Sequence, residues 1–223
     1  MNKDLVKFSF VMSLTIGRMP LILIYFLVNL LLWRQTPEGW HLQSAHAHAF
    51  WFCVAFGSMV LSALTDAFDG YYARKFKMET NFGAYADPMT DKIFYLVAFP
   101  TLVYLAAVKS QTIPAHAALL LGLTVIFLLR DQWVSFMRSI GAIHGVSAKA
   151  NWSGKARTAI SFPVICAIYW YLMAPPSWQF LPDWLVVLAE VVSLIINLIS
   201  IWVYSVSYWP CVRKELEKPF EKR

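Results

Sequence analysis

The stretch Leu61-Ser-Ala-Leu-Thr-Asp-Ala-Phe-Asp-Gly70 places two carboxylates, Asp66 and Asp69, at the end of an apolar run. Two more, Asp87 and Asp91, stand at the start of the next apolar run. Acidic side chains at the edge of a membrane span are costly and therefore indicate a functional site. Their spacings of three and four residues put each pair on one face of a helix. If the two helices are antiparallel neighbours, all four carboxylates converge on one pocket.

Four carboxylates in one pocket would repel one another unless a cation compensated their charge. Oxygen ligands suit hard divalent ions, and two such ions can stabilise both sides of a phosphoryl displacement. We therefore predict that the four aspartates hold two Mg²⁺ or Mn²⁺ ions. Further along the same stretch, the small residues Gly70 and Ala73 would let a ligand approach the helix backbone, and Arg74 could pair with a phosphate.

The composition outside this stretch is that of a membrane protein, because 59% of the 223 residues are hydrophobic and 14% are charged. The apolar residues form long runs, and a membrane-spanning helix needs about 20 such residues. We predict an all-α integral membrane protein that forms a single domain over residues 1–223. Its six spans are 8–33, 49–72, 91–108, 113–136, 157–174 and 184–209. Arg18 and Pro20 interrupt the first run, whose beginning we expect to be interfacial or kinked.

The Lys and Arg residues predict which side of the membrane each end of the chain occupies. The segment between spans one and two carries Arg34, that between three and four carries Lys109, and that between five and six carries neither Lys nor Arg. By the positive-inside rule, both termini and the aspartates face the cytoplasm. The net charge of +6 is then explained by lipid headgroups and topology, so we expect no nucleic-acid partner.

Read as a string, Asp66-x2-Asp69-Gly70-x2-Ala73-Arg74-x8-Gly83-x3-Asp87-x3-Asp91 resembles the signature of the CDP-alcohol phosphotransferase family. The resemblance implies six transmembrane helices, usually in a homodimer. It implies that the first three aspartates bind metal and the CDP diphosphate, and that Asp91 ligates metal and acts as the general base. The implied nucleotide-binding set is Asp66, Asp69, Gly70, Ala73, Arg74 and Gly83.

Four further blocks narrow the resemblance to the phosphatidylglycerophosphate synthases and the related cardiolipin synthases. They are Thr15–Arg18, Asn81–Lys92, Arg130–Arg138 and Asn151–Thr158. The synthases usually have Pro-Asn where this chain has Val11-Met12, and Arg-Glu where it has Arg130-Asp131. The resemblance implies CDP-diacylglycerol as the donor and CMP as the released product. We expect a multi-pass protein of a bacterial inner (plasma) membrane with its active site facing the cytoplasm.

Basic residues predict the acceptor. Arg130 and Arg138 are eight residues apart, close to one helix face, and Lys155 and Arg157 follow across a cytoplasmic loop. With Arg18, they could bind a phosphate monoester, which glycerol-3-phosphate would supply. Positive-inside charge is the alternative for Lys155 and Arg157.

Other functions remain open from the sequence. The same chemistry could use phosphatidylglycerol, giving cardiolipin, or another polyol phosphate. A divalent cation transporter or a membrane protein with a dead site are the remaining alternatives. His41, His46 and His48 are interpreted as surface histidines rather than a metal site, and Glu190 as a polar contact between helices or a functional group.

Overall fold

A computed structural model describes residues 3–36, 39–42, 45–76, 81–108, 113–146 and 152–221. It contains six α-helices: α1 Lys3–Leu32, α2 Ala45–Phe76, α3 Asn81–Val108, α4 His116–Ile143, α5 Trp152–Met173 and α6 Asp183–Glu221. A short 3-10 helix, Pro176–Trp178, precedes α6. The predicted all-α class is confirmed, and α1 continues through Pro20.

Two short strands between α1 and α2 depart from the sequence prediction. They are β1 (Trp33–Thr36) and β2 (Gly39–Leu42), which pair antiparallel. Trp33 stands opposite Leu42 in this hairpin. Four residues per strand give too little alternation of apolar and polar side chains to separate a strand from a loop.

Five stretches within the described helices are long and apolar enough to cross a membrane. They are His48–Asp66, Met89–Val108, His116–Ile143, Trp152–Met173 and Asp183–Glu217. The apolar part of α1, Ile16–Leu31, is shorter. The chain is therefore a multi-pass membrane protein, whereas the six-span count and the cytoplasmic placement of both termini stay predictions.

The chain divides into two compact units, and α5 contributes to both. Unit 1 consists of Met1–Gln111 and Tyr169–Phe180. Within it, α1 packs against both α2 and α3. Its core includes Tyr169, whose ring stacks on Phe52 and whose hydroxyl donates to Asn29 Oδ1 at 3.0 Å. The single domain predicted over the whole chain stays a prediction.

One of the three predicted surface histidines is described in unit 1. His48 Nε2 lies 2.7 Å from the carbonyl oxygen of Met173, and its side chain is partly buried. His48 therefore packs within unit 1 rather than standing free in solvent. The side chains of His41 and His46 lie outside the described ones.

Unit 2 consists of Thr112–Ile168 and Leu181–Arg223, and α4 packs along α6 within it. Close approach depends on Gly141, because a Cβ there would lie 2.3 Å from the ring of Tyr208. Nearer the other end of the same interface, a buried hydrogen-bonded pair joins the two helices. Its atoms are His116 Nε2 and Glu190 Oε1, 2.7 Å apart and both fully buried. Glu190 thus makes the contact between helices that its sequence position suggested.

Candidate active site

Arg18 of α1 binds carboxylates from both α2 and α3. Its Nη1 donates to Asp66 Oδ1, and it also donates to Asp91 Oδ1 at 3.3 Å. Because α1 packs against both other helices, one guanidinium reaches the end of the span in α2 and the start of the span in α3. The structure thus brings two of the four predicted aspartates to one point.

The burial of these three side chains differs in a way that suits ligand binding. The side chain of Arg18 is 3% exposed, whereas those of Asp66 and Asp91 are 44% and 47% exposed. The arginine is enclosed by helices, whereas nearly half of each carboxylate side chain is exposed to solvent. Two carboxylates against one guanidinium leave a net negative charge, and carboxylate oxygens are the ligands that Mg²⁺ and Mn²⁺ prefer. The donor set therefore fits a divalent cation.

Other predicted residues of this site lie on the same two helices. Their side chains are outside the described part of the structure: Asp69, Gly70, Ala73, Arg74, Gly83 and Asp87. The four-aspartate metal site and the nucleotide pocket therefore stay predictions, and Asp66 and Asp91 are the described members.

A second polar site lies inside unit 2, where Asp131 stands between two arginines. Asp131 Oδ1 accepts from Arg130 Nη1 at 3.0 Å, and Oδ2 accepts from Arg157 Nη2 at 2.9 Å. These three side chains are at most 10% exposed. The guanidinium carbon of Arg157 lies 3.8 Å from the ring centre of Phe127, so the apolar face of this cation packs on an aromatic ring.

Helix α6 completes this site with Ser200 and Tyr204. Ser200 Oγ accepts from Arg130 Nε at 2.9 Å and from Nη2 at 2.7 Å. The Tyr204 hydroxyl accepts from Arg138 Nη2 at 2.7 Å. The guanidinium carbons of Arg130 and Arg138 lie 5.5 Å and 5.2 Å from the Tyr204 ring centre. Gly154 of α5 permits this approach, since a Cβ there would lie 2.9 Å from the Tyr204 oxygen.

We call this site the arginine cluster. It consists of Arg130, Asp131, Arg138, Arg157, Ser200 and Tyr204. Three guanidiniums and one carboxylate give it a net charge of +2, apart from the exposed Lys155. Ser153 Oγ and Arg138 Nε are buried and have no hydrogen-bond partner among the described residues. A net positive charge among these described side chains, together with the two unsatisfied donors, is the chemistry of an anion site.

The predicted acceptor residues therefore fall into separate groups. Arg130, Arg138 and Arg157 belong to the arginine cluster, Lys155 is an exposed residue of α5, and Arg18 belongs to unit 1. The structure thus brings three of the five predicted residues together, and their role in binding the acceptor stays a prediction.

The partners of these arginines were not predicted. Asp131 stands where the related synthases usually have Glu, and an acid beside an arginine in an apolar span already suggests an ion pair. Ser200 and Tyr204 continue a polar series on α6 with Glu190, Ser193 and Asn197, all at most 1% exposed. That three-and-four spacing was a readable signal of one buried helix face.

Sequence comparison shows what kind of protein carries these two sites. A profile of the CDP-alcohol phosphatidyltransferase family matches residues 10–206. The chain belongs to this family. The CDP-alcohol phosphatidyltransferase thus identified is an enzyme of membrane phospholipid synthesis, as its aspartate motif indicated.

Curated relatives of this CDP-alcohol phosphatidyltransferase include three bacterial proteins named CDP-diacylglycerol–glycerol-3-phosphate 3-phosphatidyltransferase. They come from Escherichia coli strain K12, Shigella flexneri serotype 5b and Shigella sonnei. Each is 31% identical over 172 residues, which cover 77% of this chain and 81% of the relative. The predicted resemblance to the phosphatidylglycerophosphate synthases is therefore confirmed.

Proposed function

We propose that this CDP-alcohol phosphatidyltransferase moves the phosphatidyl group of CDP-diacylglycerol to glycerol-3-phosphate and releases CMP. The observation that carries the proposal is the net positive charge of the arginine cluster, which is buried among helices. A buried charge of this kind calls for an anion, and a phosphate monoester supplies two negative charges near neutral pH. The curated relatives, named for the same two substrates, support this choice.

The donor side of the reaction is assigned to the aspartates. Asp66 and Asp91, with Asp69 and Asp87, would hold two Mg²⁺ or Mn²⁺ ions and the diphosphate of the donor. Divalent ions supply charge stabilisation on phosphoryl oxygens at such sites. The proposed pocket for the cytidine nucleotide adds Gly70, Ala73, Arg74 and Gly83.

The chain's own carboxylate starts the transfer. Asp91, which is about half exposed, takes the proton from the acceptor hydroxyl. The oxygen then forms a bond to the lipid-side phosphorus, the bond from that phosphorus to the CMP oxygen breaks, and CMP leaves with that electron pair. Arg18 donates to both Asp66 and Asp91, and we therefore assign it to positioning these carboxylates rather than to the acceptor phosphate.

The acceptor side is assigned to the arginine cluster. Arg130, Arg138 and Arg157 would bind the phosphate of glycerol-3-phosphate, with Lys155 adding charge from the surface of α5. The buried Ser153 Oγ and Arg138 Nε are donors that this phosphate could satisfy. The active site is proposed to face the cytoplasm of a bacterial plasma membrane, in a homodimer whose protomer is a single domain.

A same-family enzyme with another acceptor is the second candidate. Phosphatidylglycerol carries a phosphodiester with a single charge, which matches the cluster less well, whereas another polyol phosphate would match it equally. Family membership leaves the cation-transporter alternative without support.

The deciding experiment measures CMP release by the purified protein in detergent with CDP-diacylglycerol and Mg²⁺. Glycerol-3-phosphate, phosphatidylglycerol and other polyol phosphates are compared as acceptors. We expect CMP release that depends on glycerol-3-phosphate and is lost in Asp91→Asn. The matched control is Asp183→Asn, which alters an exposed aspartate at the start of α6. Release with another acceptor alone would overturn the acceptor assignment, and release that persists in Asp91→Asn would overturn the role of Asp91.

A further inference from the structure

The carboxylate of Asp131 is divided between two arginines of different helices. One oxygen serves Arg130 of α4, and the other serves Arg157 of α5, at 3.0 Å and 2.9 Å. A carboxylate that bridges two arginines in this way restrains the position of both guanidiniums, because each receives a charge-assisted hydrogen bond. Each arginine is also held elsewhere, Arg130 by Ser200 and Arg157 by the Phe127 ring.

We propose that Asp131 is a positioning residue that aims Arg130 and Arg157 at the acceptor phosphate and sets the charge of the arginine cluster. The inference rests on the proposed function, since it takes the cluster to be the acceptor site. Asp131 is not proposed to contact the substrate, because both of its carboxylate oxygens already accept hydrogen bonds from arginines.

The charge of Asp131 has two opposing effects. It offsets the repulsion between two buried cations, which would otherwise turn away from each other or draw in water. It also removes one positive charge from the site, leaving +2 for the acceptor. A phosphate monoester carries about two negative charges near neutral pH, so it neutralises the cluster, whereas a phosphodiester leaves one charge over.

A purely structural ion pair would behave differently. Loss of such a pair would weaken unit 2 and lower the activity without distinguishing between the two substrates. A positioning residue affects the acceptor selectively, because its arginines bind the phosphate and have no part in holding the CDP-linked lipid in the proposed mechanism. The ratio of the two KM values separates these cases.

The test compares Asp131→Asn and Asp131→Glu in steady-state kinetics with CDP-diacylglycerol and glycerol-3-phosphate. Asp131→Asn keeps the shape and loses the charge. We expect its KM for glycerol-3-phosphate to rise about tenfold or more, since hydrogen bonds between charged groups are lost. Its KM for CDP-diacylglycerol should stay within about twofold. Asp131→Glu keeps the charge and should stay within about threefold of wild type for both substrates.

Glu190→Gln is the matched control, because it removes another buried carboxylate of unit 2, one that bonds His116 outside the cluster. It should leave both KM values unchanged. Asp131→Ser replaces Asp131→Asn in the test if the Asn variant does not accumulate, since the smaller serine side chain admits water beside the arginines. We expect the same rise in the KM for glycerol-3-phosphate.

Thermal unfolding with added glycerol-3-phosphate separates this inference from the proposed function. The inference is supported if glycerol-3-phosphate raises the Tm of the wild type more than it raises the Tm of Asp131→Asn. Equal stabilisation of both proteins, or a rise of both KM values together, overturns the role of Asp131 alone. A wild-type protein that glycerol-3-phosphate neither stabilises nor uses overturns the acceptor assignment and this inference with it.

Discussion

At the scale of single residues, Arg18 is the link between the aspartates of α2 and α3. Its guanidinium is buried while both carboxylates stay partly exposed. This arrangement keeps the negative charges together before any cation binds, because the arginine offsets their repulsion. Nearly half of each carboxylate side chain is exposed, which suits the metal and proton-accepting roles proposed for them.

Replacing Arg18 by Met should therefore destabilise the metal-free protein. A hydrogen bond between charged groups contributes about 1.5–3 kcal/mol, and each kcal/mol changes the Tm of a chain of this length by about 2–4 °C. We expect the Tm in EDTA to fall by several degrees. Mg²⁺ should recover more of the Tm in the variant than in the wild type, since it then supplies the missing positive charge at Asp66 and Asp91. Thermal unfolding in detergent, with and without Mg²⁺, measures both effects.

The matched control for this variant is Arg213→Met. Arg213 binds Glu217 at 2.7 Å, but both side chains are well exposed, and surface pairs of this kind contribute about 0–1 kcal/mol. Its Tm should barely change in either condition. An Arg18→Met protein that responds to Mg²⁺ as the wild type does would show that Arg18 and the cation do not share these carboxylates.

At the scale of helices, the interface between α4 and α6 depends on one glycine. Gly141 is buried, and a Cβ at this position would meet the ring of Tyr208 at 2.3 Å and 2.6 Å. A contact that short forces the ring or the helix to move. The same ring stacks on Tyr204 of the arginine cluster, with 6.2 Å between the ring centroids.

Gly141→Ala should for this reason lower the free energy of unfolding of the protein. Overpacking a well-filled interior costs about 1–3 kcal/mol. The control is Gly122→Ala in the same helix, where a Cβ meets nothing within 4 Å. There, Ala should be neutral or stabilising by up to about 1 kcal/mol, because glycine weakens helices. Thermal unfolding of the two variants tests the contrast, and equal Tm values would contradict the close contact with Tyr208.

The buried pair of His116 and Glu190 supports the other end of the same interface. Removing one member leaves a polar group buried without its partner, which costs about 3–5 kcal/mol when the group is charged. Replacing both members by apolar residues avoids that cost. We expect His116→Leu alone to unfold at a lower temperature than the double variant His116→Leu/Glu190→Leu. A double variant that is the less stable of the two would show that the pair itself stabilises the helices.

At the scale of the whole molecule, the chemistry was more predictable than the way it is held in place. The two aspartate pairs could be predicted from the sequence because residues three or four positions apart share one face of a helix, as Asp66 and Asp69 or Asp87 and Asp91 do. The contact between Arg130 and Ser200 could not be predicted, because the two residues are 70 positions apart in the sequence. Helix periodicity identifies buried faces but does not say which faces meet. The short hairpin after α1 was missed for the related reason that its pairing has no period long enough to detect.

The number of membrane spans depends on whether α1 crosses the bilayer. The apolar stretch Ile16–Leu31 rises about 24 Å as a helix, short of the ~30 Å hydrocarbon core. The full α1 has 30 residues, enough to cross if its first turns lie in the headgroup region. Six spans put both termini on one side, whereas five put them on opposite sides.

Reporter fusions in a bacterial host distinguish these topologies. Green fluorescent protein fluoresces in the cytoplasm, and alkaline phosphatase is active outside it. Because the Lys and Arg residues concentrate at both ends and in the loops that follow α2 and α4, we expect fluorescence from fusions at either terminus. Phosphatase fused after Lys109 should be active, since that segment is predicted to be external. A fluorescent C-terminal fusion together with an active phosphatase at the N-terminus would mean that α1 does not cross. That outcome would also contradict the contacts of Arg18 with Asp66 and Asp91, because Asp66 ends the span that begins at His48 and would lie on the other side of the membrane from α1.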